Sequence, residues 1–92
     1  MANQDPTWSQ ADTLASEDRR TERAVLAFLL DQHPTRLTVG ELSFALDAKD
    51  FAEKDATARA VRELIGAGLL HAEGELIGPS LAAIHFERLE RS

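Results

Sequence analysis

The chain has 92 residues, of which 43% are hydrophobic and 28% charged, and its formal net charge is −6. That length suits one small domain with a modest core, and the charge disfavours non-specific attraction to phosphate. Cysteine is absent, which excludes disulfides and thiolate metal sites. No apolar run approaches the roughly 18 residues that cross a bilayer, and no basic segment leads into an apolar stretch as a secretory signal would; a cytoplasmic protein is expected.

Residues 1–16 are polar, with one proline and no sustained apolar period. They are expected to form a disordered N-terminal tail, leaving 17–92 as the folded domain. Trp8, the single tryptophan, falls in that tail, either as a mobile residue or packed on the domain or on a partner subunit. Ser16 is a cap candidate, with Glu17 and Asp18 suited to a helix's positive end. A helix over Arg19–Gln32 then follows, with a wide apolar stripe of Val25, Leu26, Phe28, Leu29 and Leu30. His33-Pro34 ends it, because the residue before proline avoids helical angles.

Arg36-Leu37-Thr38 reads as a short extended link, and Thr38 and Glu41 have the spacing of a capping box. The second helix, Val39–Leu46, offers Val39, Leu42, Phe44 and Leu46 to the core. Between Asp47 and Asp55 an irregular turn is expected to merge into a longer third helix over Ala56–Ala67; Asp50-Phe51 is one start and an Asp55 cap the other. In that helix Val61, Leu64 and Ile65 define an inward face, with Thr57 and Ala58 near it; Asp55, Ala56, Arg59, Arg62 and Glu63 point away. Gly66 and Gly68 supply a left-handed stop, with Leu69 placed for a Schellman closure. Leu69–Glu73 and Glu75–Gly78 form a tight hairpin around Gly74. Pro79 breaks it, Ser80 caps, and a last helix runs over Leu81–Glu90.

The residues offer little to an enzyme. Three histidines, His33, His71 and His85, are scattered. His71-Ala72-Glu73 has the His-x-Glu spacing of zinc deaminases but lacks the cysteine pair that completes such a site. Gly66-Ala67-Gly68 follows a helix rather than a strand, so it is a cap and not a dinucleotide loop. A non-enzymatic protein with no cofactor and no metal is expected, and a binding surface is the remaining kind of site.

The span Arg19–Leu89 resembles a winged helix-turn-helix domain of the kind found in small bacterial transcriptional regulators. Val39-Gly40-Glu41-Leu42, Ala60-Val61-Arg62-Glu63-Leu64, Gly68-Leu69-Leu70 and the hairpin from Gly74 to Pro79 carry the likeness. It implies an α+β fold, mostly helical, with a β-hairpin wing and a C-terminal helix. It further implies a double-stranded DNA partner, with Lys54, Thr57, Ala58, Arg59 and Arg62 towards the groove and Glu73-Gly74-Glu75 as the wing tip.

Charge qualifies that expectation. From Lys49 to Glu63 four positive residues (Lys49, Lys54, Arg59, Arg62) face four negative ones (Asp50, Glu53, Asp55, Glu63). Arg59 and Arg62 either read bases or pair with local acids. Glu73 and Glu75 would repel phosphate. Arg19, Arg20, Arg23 and Arg36 either contact a backbone from the flank or offset Glu17, Asp18 and Glu22. In the last helix Leu81, Ile84, His85, Phe86 and Leu89 exceed what docking needs, so Leu81, Ile84, His85 and Leu89 are expected at a homodimer interface. The alternative to a DNA-binding regulator is a protein–protein interaction module using this helix and the acidic hairpin.

Overall fold

Two capping boxes start the central helices. Thr38 Oγ1 accepts from the Glu41 amide at 3.1 Å and Glu41 Oε1 accepts from the Thr38 amide at 2.9 Å, opening helix α2 (Val39–Ala45). Asp50 Oδ1 accepts from the Glu53 amide at 2.8 Å, while Glu53 Oε1 accepts from the Asp50 amide at 3.4 Å and from the Lys49 amide at 2.7 Å. Helix α3 therefore begins at Phe51 and runs to Gly66, and the Asp50-Phe51 start prevails over an Asp55 cap. The irregular connection is confined to residues 46–50, because the reciprocal box already caps the first turn at Phe51.

Both helices also close alike. At the end of α3 the Leu69 amide donates to the Leu64 carbonyl at 2.9 Å and the Gly68 amide to Ile65 at 3.0 Å, with Gly68 at φ 82°. That is the Schellman motif the glycine predicts. At the end of α2 the Ala48 amide reaches Ser43 at 2.9 Å and the Asp47 amide reaches Phe44 at 3.0 Å, with Asp47 at φ 63°. Here an aspartate holds the left-handed position that glycine usually takes.

The computed structural model describes residues 6–91, and side chains from residue 15 onward. Helix α1 (Pro6–Gln32) comes first, then α2 and α3, strands β1 (Leu70–Glu73) and β2 (Leu76–Pro79), and helix α4 (Leu81–Arg91). The chain is thus α+β, four helices and one antiparallel hairpin, with a C-terminal helix after the hairpin.

The start of α1 corrects a sequence expectation. Residues 6–16 continue the helix where a tail was expected, and Ser16 is helix interior rather than a cap. Proline suits a first helical turn, and nothing between Thr7 and Ser16 is a glycine or proline that would stop a helix. Trp8 lies outside the described side chains.

In the hairpin Leu70 opposes Pro79, His71 opposes Gly78, Ala72 opposes Ile77 and Glu73 opposes Leu76. Gly74 at φ 62° occupies the first of two loop positions, the pattern of a type II′ turn. Leu37 adds a bridge to Ile77, donating at 3.1 Å and accepting at 2.7 Å, so the extended link before α2 lies beside β2.

The core gathers Val25 and Leu29 from α1, Leu42 from α2, Ala60, Val61 and Leu64 from α3, and Leu70 and Ile77 from the hairpin. Each large apolar side chain among these contributes about 1.5–3 kcal/mol relative to exposure. Two expected core residues lie outside it: Phe44 is 88% exposed and Ile65 is also exposed. Val39, Leu42 and Leu46 set the inward direction of α2, and Phe44 falls on the far side of the wheel. No described helix is long and apolar enough to cross a membrane.

Candidate functional site

The outer face of α3 is where a groove-reading surface would lie. Lys54 is exposed, Ala58 is half-buried, and Thr57 is buried with 3% exposure. The Thr57 hydroxyl donates to the Glu53 carbonyl at 3.1 Å, so it packs inward and is no groove contact. Thr57 sits one helical turn before Val61, which already marks the inward face.

Arg59 is engaged twice. Its Nε donates to Asp55 Oδ2 at 3.2 Å, and its Nη1 lies 3.4 Å from Asp18 Oδ1 on α1. This guanidinium clips α3 to α1 instead of projecting away from the domain. Arg62 makes no ion pair among the described residues, but it lines a cleft with Asp18, Glu22 and Glu63. The start of α3 carries Asp47, Asp50, Glu53 and Asp55 against Lys49 and Lys54. Phe51 stands there 84% exposed. Acids and bare aromatics are a poor surface for a polyanion.

The hairpin adds no lysine or arginine. Glu73 accepts from Arg36 Nη1. The stem of Arg36 crosses β2 at Gly78, where a Cβ would stand 3.1 Å from Arg36 Cγ. Gly78 thus leaves room for Arg36, and Arg36 braces the hairpin. Glu73, Gly74 and Glu75 at the tip are all exposed.

Helix α4 is assembled differently. Ser80 joins it to the α3 exit: its hydroxyl donates to the Gly68 carbonyl at 2.7 Å and accepts from the Ala83 amide at 3.1 Å. Beyond that joint α4 meets α1 and β2 over a small area, and Ala83 is its only buried residue. Leu81 is 86%, Phe86 63% and Leu89 61% exposed, while Ile84 is half-buried. At about 100° per residue, Leu81, His85 and Leu89 fall on one arc with Ala82 and Phe86 beside it, and Ala83 on the other side. The helix therefore docks through Ala83 and the half-buried Ile84 and Glu87, and turns Leu81, Phe86 and Leu89 outward.

Of the sequence-predicted positions, the structure brings Arg59 and Arg62 together along the α1–α3 cleft, and Leu81, His85 and Leu89 together on α4. Lys54 stands apart near the start of α3, and Ile84 at the edge of the α4 stripe. No family model, curated protein or solved structure matches the chain.

Proposed function

We propose that this protein is a non-enzymatic interaction module, built in the manner of a winged helix, that associates through the outward stripe of α4 with a second copy of itself. The observation that carries this reading is the exposure of Leu81, Phe86 and Leu89 on a helix whose one buried residue is Ala83. Patches of a few hundred Å² of contiguous apolar surface mark interaction sites on small domains.

The stripe suggests its own partner. Leu81 and Leu89 lie four residues to either side of His85. Two α4 helices crossing antiparallel about His85 set Leu81 of each copy against Leu89 of the other, a self-complementary, two-fold contact. Each copy carries a net charge of −6, so the two repel at long range. Salt screens that repulsion and strengthens apolar association.

The second reading is the DNA-binding regulator, favoured by Lys54 and Arg62, which are exposed and make no ion pair among the described residues. Salt separates the two readings with opposite signs, because phosphate contacts weaken steeply as salt rises. Sedimentation velocity on the full chain should show a dimer that strengthens with added sodium chloride, and no retention of a duplex pool at low salt. A monomer at ~100 μM, weaker than the micromolar range of specific pairs, would end the α4 reading. Duplex binding lost in an Arg59→Ala/Arg62→Ala double variant would put the regulator first.

A further inference from the structure

A cleft of about 510 Å³ opens where the exit of α1, the outer face of the hairpin and the start of α4 meet. We propose that it binds a small organic carboxylate with an apolar body. The polar side chains around it are His33, Arg36, His71 and Ser80, and none of its lining residues is acidic. That is unusual on this surface. Three other clefts are each lined by at least two carboxylates, among them Asp18, Glu22 and Glu63 beside α3, and Asp47 and Glu53 beside α2. In a chain of net charge −6, this is the one of these four recesses with no carboxylate in its lining, which favours an anion.

The geometry supplies a fixed donor. Arg36 is held from both sides: its stem lies over Gly78 and its Nη1 donates to Glu73. One nitrogen is thereby occupied, and a guanidinium presents five N–H donors in a rigid fork suited to a carboxylate. His71 stands directly opposite Gly78 across the strand pair, so its imidazole shares the face that Arg36 crosses. Ser80 is already committed, since its hydroxyl donates to Gly68 and accepts from Ala83. The remaining walls, Pro34, Pro79, Leu81 and Ile84, are apolar. A fixed cation at one side of an apolar recess of this volume selects a ligand with one carboxylate and a hydrocarbon body. This proposal does not rest on the pairing of α4.

The test is amide NMR of the full chain titrated with 3-phenylpropionate, using neutral 3-phenylpropanamide as the control. The carboxylate should give saturable shifts confined to residues 33–36, 71 and 78–84, with the amide bound roughly tenfold more weakly, since charge-assisted bonds are about twice as strong as neutral ones. Arg36→Gln should weaken binding by roughly tenfold as well. His71→Gln, an exposed change that spares the wing brace, should weaken it by a smaller factor. The proposal fails if no saturable shift appears up to ~10 mM, above the ~1 mM constant expected of so few polar contacts. Equal binding of acid and amide also overturns it, as does unchanged binding in both variants.

Discussion

Helices α3 and α4 use their side chains in opposite ways. In α3 Val61 and Leu64 lie in the core, Phe51 and Ile65 stay exposed towards its two ends, and Arg59 on its rim is tied to Asp18 and Asp55. In α4 Leu81, Phe86 and Leu89 face solvent, Ile84 is half-buried and the one buried residue is Ala83. Helix α3 is thus spent largely on holding the domain together, while the terminal helix is left with surface to offer. The order of elements does not by itself assign a function to either helix.

The strongest way to sharpen this contrast is to delete buried volume. Leu64→Ala or Leu29→Ala should cost about 2–5 kcal/mol, read as a fall in the urea midpoint at unchanged slope. In a 92-residue domain that is much of the total stability. The matching change on α4, Leu89→Glu, should leave the urea transition of the monomer within about 0.5 kcal/mol, as for an exposed site. It should weaken association at least roughly tenfold by placing a charge in an apolar contact. Equal losses of stability at Leu64 and Leu89 would erase the distinction between the two helices.

Smaller effects follow at the joints. Ser80→Ala removes the acceptor for the Ala83 amide and the donor to the Gly68 carbonyl, and should cost about 1 kcal/mol. Hydrogen exchange should localise that loss to α4 and the α3 exit. Asp47→Gly goes the other way. It relieves a non-glycine residue at φ 63° and should add about 0.5–1 kcal/mol, visible as a higher thermal midpoint. Arg59→Ala should cost no more than about 1 kcal/mol, because its ion pairs are exposed, and high salt should shrink even that.

Local chemistry made much of this fold legible. The Thr38–Glu41 box, the Gly68 stop, the Gly74 turn and the Ser80 cap are each set by residues within a few positions, and each is where the sequence places it. What escaped is non-local or permissive. Arg59 meets Asp18 and Arg36 meets Glu73 across 41 and 37 residues, separations at which sequence spacing carries no signal. The extension of α1 to Pro6 escaped because its polar composition reads equally as tail or as exposed helix. Asp47 in a left-handed turn escaped because glycine is the usual marker there. The outward position of Phe44 was readable from the wheel, since Val39, Leu42 and Leu46 already fixed the inward side. On α4 the stripe was legible as an excess of apolar residues, but that it faces solvent emerged only with Ala83 placed inward.

The two-fold pairing of α4 about His85 is the central claim, and cysteine cross-linking tests it most directly. The chain contains no cysteine, so each introduced thiol is unique. Under mild oxidation His85→Cys should give a covalent dimer rapidly. Leu81→Cys and Leu89→Cys should each give little alone and a heterodimer when mixed, since a disulfide needs Cα atoms within about 7 Å. Rapid self-linking at 81 and 89 with none at 85, or no linking at any of the three, would contradict the account.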